Sequence, residues 1–111
     1  MAIPHIQSAQ AVDVRSFGSR LPVEKTVALF KSEELEVIRL VLPAGKAFPA
    51  HSVAGEITIQ CIEGRLDVTV DGESHLLAAG QLLFLSAKLP HSVVALEDAS
   101  ALVTIVLHKQ G

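Results

Sequence analysis

His51 and His91 are the side chains of this 111-residue sequence whose type and surroundings best suit chemistry. Each follows a glycine by a short stretch, Gly45 before His51 and Gly80 before His91, and each leads towards a run of strand-forming residues. An imidazole can ligate a divalent transition metal, or it can exchange a proton near neutral pH. Either use needs company. A catalytic metal site generally takes about three protein ligands and an open position, and a general base needs a partner acid or an oxyanion donor. Beside His51 that company is thin, because Val53 cannot ligate and Glu56 is the nearby carboxylate. The sequence has no Tyr to donate a phenolic proton, which counts against epimerase or isomerase chemistry by a lone imidazole base, His51 or His91.

Other reactive types read as structural. Cys61 lies in the apolar run ITIQCIE and is expected to be a core thiol whose pKa burial raises. His5, His75 and His108 have no neighbours at ligand spacing and read as surface residues. Lys46 and Lys88 flank the two histidines and read as solvated, with the attraction of an anion to a pocket rim as the alternative.

The elements that must position these groups are short. From Thr26 onward, runs rich in Val, Ile, Leu and Thr alternate with Gly, Pro and Asp punctuation, the pattern of an all-β sandwich or barrel. Strands are predicted over 26–32, 35–42, 56–63, 65–71, 74–79, 81–86, 91–97 and 101–109. Asp71-Gly72 suits a hairpin turn in which both residues take positive φ. A helix over 31–42 competes on account of Glu33, Glu34 and Glu36, but the β-branched second half and Pro43 favour a turn at 32–34 followed by a strand. Residues 1–20 are more polar and less periodic, so they are expected to form a loose arm or an edge strand lent to a neighbour, with residues 21–111 forming one β-barrel domain.

Composition excludes several roles. Nine Lys plus Arg against twelve Asp plus Glu give a net charge of -3, and the aromatics are four Phe, so neither phosphate neutralisation nor base stacking has a basis and nucleic acid is not expected as a partner. Half of the residues are hydrophobic and the mean hydropathy is +0.45, yet the apolar runs fall well short of the ~20 residues that span a bilayer. No membrane role is expected. The first residues lack a basic start with a following apolar stretch, and a single cysteine cannot form an internal disulfide, so the expected compartment is the cytoplasm. Several strands are apolar on both faces: Val37 and Val41 oppose Ile38, Leu40 and Leu42. A two-layer sandwich buries the inner face, so the outer one needs the arm or a second subunit, most simply in a homodimer.

Two spacings tie these observations together. The first runs Gly45, His51, Val53, Glu56, Gly64; the second runs Gly80, Ser86, Lys88, His91, Ala95. This pair resembles the two motifs of the cupin superfamily, small RmlC-like jelly-roll barrels, over roughly residues 24–108. The first motif of that family reads Gly, five residues, His, one residue, His, three or four residues, Glu, six residues, Gly. The second reads Gly, five residues, Pro, one residue, Gly, two residues, His, three residues, Asn. The family's usual metal is held by the two histidines and glutamate of the first motif and the histidine of the second. The resemblance carries His51 and His91 over as ligands. Val53 stands for the second histidine, Ile57 for the glutamate, and Glu56 falls one residue early, on the opposite face unless a bulge at Ala54-Gly55 re-aims it. The resemblance implies a pocket at the barrel mouth with His51, Val53 and His91, a wall of Ile57, Ile59 and Cys61, Phe48 at the entrance, and Leu83 or Phe84 opposite. Thr58 and Gln60 share the parity of Glu56 and face away.

The expected function is a metal-free or weakly metal-binding module with a small-molecule pocket, without a cofactor. One alternative is a metal-dependent cupin enzyme, a dioxygenase or isomerase using Zn, Fe, Mn, Ni or Cu. Another is a structural or regulatory homodimer without a ligand.

Overall fold

A computed structural model describes residues 5–107, with residues 49–51 described for the backbone alone. Among the described residues nine strands follow a 3-10 helix at Gly18–Val23: β1 Val27–Lys31, β2 Leu35–Leu42, β3 Ala47–His51, β4 Ile57–Glu63, β5 Arg65–Val70, β6 Glu73–Ala78, β7 Leu82–Leu85, β8 His91–Ala95 and β9 Ala99–Val106. They form two antiparallel sheets, ordered β1-β2-β9-β4-β7 and β3-β8-β5-β6. Non-consecutive strands are neighbours in both, which makes the sandwich a jelly roll. No helix among the described residues is long and apolar enough to cross a membrane.

Side-chain parity builds the core. On β2 the inward set is Ile38, Leu40 and Leu42, paired across the ladder with Val103, Ala101 and Ala99 of β9. On β4 the inward set Ile57, Ile59 and Cys61 pairs with Ile105, Val103 and Ala101. The second sheet answers with Leu66, Val68, Val93 and Ala95, all buried. The competing helix over 31–42 therefore gives way to a turn and a strand, since β-branched residues pack well on a pleated face. Asp71 and Gly72 both take positive φ, 52° and 77°, as the hairpin between β5 and β6 requires.

One strand is missing from the expected set. β3 carries Pro49, and proline within a run argues against a strand interior. It is tolerated because β3 lies at the edge of its sheet, and the register with β8 shifts between Phe48 and His51. The end of the last predicted strand, 108–109, lies outside the described residues.

The described part of the N-terminal arm forms no strand of its own and lies across the outer face of β2. Arg39, only 2% exposed, holds it there. Its guanidinium stacks 4.1 Å from the centre of the Phe17 ring and donates to the Arg15 carbonyl and to Ser100 Oγ. Glu63 completes the latch: its carboxylate accepts the N–H groups of Phe17 and Gly18, the Ser100 hydroxyl and the Arg39 guanidinium. Burial works to raise the Glu63 pKa, but those hydrogen bonds and the Arg39 charge outweigh it and hold the carboxyl below its ordinary value. The arm thus covers the β2 side of this face. At the β7 edge Leu82 and Phe84 remain 61% and 58% exposed.

Candidate functional site

The two sheets do not fill the space between them. A cavity of about 230 Å³ lies inside the barrel, walled by Phe48 and Val53, Ile57 and Ile59 of β4, and His91 and Val93 of β8. Ile38, Leu40, Val103 and Ile105 close it from β2 and β9, with Thr26 at one end. Sequence reasoning did not place these last residues in the pocket, although the inward parity of β2 and β9 was the signal that could have found them.

His91 is 4% exposed and is the ionisable side chain lining this cavity among the described residues. It opens β8 directly after Pro90, and its Nδ1 lies 3.2 Å from the Leu89 carbonyl oxygen. A carbonyl only accepts, so this contact is a hydrogen bond when Nδ1 carries the proton, which in the neutral ring leaves the lone pair on Nε2. The backbone of His51 is the direct partner of His91 in the β3–β8 ladder. The direction of the His51 side chain lies outside the described residues.

Two expected wall residues are placed elsewhere. Phe84 is corrected to the outer face: on β7 Leu83 and Leu85 turn inward, so the residue between them turns to solvent. Cys61 points inward but lies behind the cavity, at the end of β4 where it pairs with Ala101 and is fully buried. Burial raises its pKa, and Sγ sits 3.5 Å from the carbonyl oxygens of Glu63 and Gly64, the environment of an unreactive core thiol. Thr58 and Gln60 share the outer parity with Phe84 and Leu82, their partners across β4 and β7.

The donor set tests whether the metal usual in such barrels fits. Val53 and Ile57, at the positions of the missing histidine and glutamate, both present apolar side chains to the cavity. Glu56 is exposed just before β4, and the bend at Ala54-Gly55 leaves its side chain in solvent. Among the described residues no three of His, Cys, Asp and Glu gather to form a metal site. The residues present do not fit a three-histidine, one-glutamate centre.

Lys88 stands where the second motif has glycine, and its φ is +66°, with its N–H donated to the Val53 carbonyl across the cavity mouth. A side chain in the left-handed region costs of order 1–3 kcal/mol, part of which glycine returns as backbone entropy. Lys88→Gly is therefore expected to raise stability by about 1 kcal/mol in urea denaturation, read as a higher midpoint at unchanged slope.

The fold and the paired motifs define a small jelly-roll barrel with an interior pocket. The comparisons place it: residues 38–108 match the model of the Cupin domain, and the chain belongs to the cupin superfamily. An RmlC-like cupin protein from Desulfovibrio desulfuricans is similar at 27% identity, with a TM-score of 0.67 over 92% of this chain and 97% of that one. The TT1209 protein of Thermus thermophilus is 29% identical, with a TM-score of 0.64 over 77% of this chain and 86% of that one. A conserved protein of unknown function from Streptococcus pyogenes has the same fold, with a TM-score of 0.76 over 99% of this chain and 97% of that one, at 23% identity. Among curated proteins nothing matches the chain.

Proposed function

We propose that this chain is a cupin binding module that holds a small, largely apolar molecule inside its barrel by shape and by the His91 imidazole, without a metal. The observation that carries the reading is the interior cavity itself. Its volume of about 230 Å³ is lined mostly by apolar side chains, and the two positions that would hold metal ligands contribute Val53 and Ile57 to its wall. An apolar cavity of roughly 150 Å³ already admits a benzene ring, so a ring or short alkyl chain fits the space. The single buried thiol, Cys61, suits a reducing compartment, and the cytoplasm is the location we infer.

Elemental analysis of tag-free protein tests the metal-free reading. After dialysis against Zn, Fe, Mn, Ni and Cu with a weak competing chelator, substoichiometric metal is expected, and chelator treatment should leave the melting temperature unchanged. Close to one metal per chain, lost in His91→Ala, would favour a metal-dependent enzyme instead.

Leu82 and Phe84 favour a second element of the reading. Large apolar side chains side by side on the outer face of an edge strand suit a second copy of the chain, and we propose a homodimer through this face. Light scattering should give twice the monomer mass, falling to the monomer value in Phe84→Glu; an unchanged mass in the variant would remove this face from the interface.

A further inference from the structure

We propose that the barrel cavity is the inner half of a longer site whose outer half selects a carboxylate, so that the ligand class is a small monocarboxylic acid bearing an alkyl chain or ring. This rests on the reading of the interior cavity as a ligand site. A second cavity of about 490 Å³ lies at the seam where the segment leading into β1 and the end of β2 meet the start of β3. Thr26 and Phe48 line both cavities and stand where a neck between them would lie. The neck is apolar in effect. Thr26 Oγ1 donates to the Val41 carbonyl and accepts the Val41 N–H at 2.8 Å, so its donor and one of its two acceptor lone pairs are taken up by β2.

The charges around the outer cavity are Glu24, Lys25, Lys46 and Asp98. They are not equally available. Asp98 accepts the Ala44 N–H at 2.8 Å. Glu24 and Lys25 both also border the separate cavity under the N-terminal arm, and there the Glu24 charge acts on Arg39. Lys25 and Lys46 make no ion pair among the described residues. Two uncommitted ammonium groups therefore stand outside an apolar neck that opens onto an apolar chamber. A carboxylate would be strongly desolvated in the chamber, whereas in the outer cavity it keeps water and gains two cations. Orientation follows: the chain or ring enters the barrel and the carboxylate stays at the seam.

Isothermal titration or ligand-observed NMR with hexanoate, hexanol and hexylamine at pH 7.5 separates carboxylate selection at the seam from binding inside the barrel. Hexanoate is expected to bind about tenfold or more tighter than the alcohol or the amine, and in Lys25→Gln/Lys46→Gln that margin should shrink to about threefold or less with hexanol affinity unchanged. The lysines are exposed, so this variant is expected to keep the wild-type melting curve. Equal binding of all three probes would overturn the carboxylate preference and leave the interior site standing. A preference that persists in the lysine variant and vanishes in His91→Ala would place the carboxylate inside the barrel and overturn the orientation. Failure of every probe to bind would remove both the proposal and the reading beneath it.

Discussion

Gly64→Ala is expected to lower the melting temperature by roughly 15 °C, the combined effect of an overpacked contact and an unfavourable backbone. Gly64 ends the first motif with φ at +77°, and a Cβ built on it would lie 2.1 Å from the Asp98 carbonyl oxygen and 2.8 Å from the Ala99 Cα. Both of those atoms are backbone, so no flexible side chain can move aside. The β4–β5 junction at Gly64 is pressed against the turn that opens β9, and only glycine allows that approach. Overpacking costs about 1–3 kcal/mol and the left-handed region about 1–2 kcal/mol, for a total near 3–4 kcal/mol. Gly72→Ala isolates the two contributions, because Gly72 has the same φ of +77° with nothing within 4 Å. It should lose about 1 kcal/mol in thermal denaturation. Equal losses in the two variants would show that the close approach at Gly64 does not limit stability.

Glu63→Ala is expected to cost about 3 kcal/mol, the range for removing one partner of a buried ion pair. The loss is larger than a surface pair would give because Arg39 stays buried without its ion-pair partner, and the N–H groups of Phe17 and Gly18 lose their acceptor. Arg39→Met in the Glu63→Ala background should recover part of the stability, since an apolar side chain then fills the space a lone cation occupied. Urea unfolding of the two single variants and the double variant gives the coupling directly. The same carboxylate makes the arm sensitive to acid. Its pKa is depressed in the folded chain, so its contribution is fully present above the ordinary carboxylate value and is lost as pH falls through the lower folded-state value. Glu63→Gln should therefore flatten the acid limb of the stability curve relative to the wild type. A parallel acid limb in the variant would assign the loss to other carboxylates.

The parts of this fold legible in the sequence are those that local pattern decides. β2 follows from the apolar, β-branched run 35–42, and the β5–β6 hairpin follows from Asp71-Gly72, because φ tolerance at two adjacent residues is a local property. The cupin resemblance is legible for the same reason: Gly45, Gly64 and Gly80 all take positive φ, and their spacing records the turns of the barrel. Where the sequence read falsely, the answer was set by position in the sheets. β3 was hidden by Pro49, which an edge strand accepts and a central strand does not. The resemblance implies Leu83 or Phe84 on the inner face, and a single step of parity on β7 turns Leu83 inward and Phe84 outward. The Arg39–Glu63–Ser100 latch brings together β2, β4 and β9 with the arm, and no spacing along the chain announces it. The lysines of the seam cavity are equally silent in sequence, since Lys25 and Lys46 border one cavity only where the segment before β1 and the end of β2 meet the start of β3.

The central claim is that the barrel interior is an open apolar site. It is tested most directly by titrating benzene or toluene into protein with labelled Ile, Leu and Val methyl groups and following methyl NMR shifts. Saturable shifts are expected at Ile57, Ile59, Val93 and Val103, which are among the methyl-bearing residues that line the cavity. No saturable shift at those methyls, or shifts confined to Leu82 on the outer face, would contradict it.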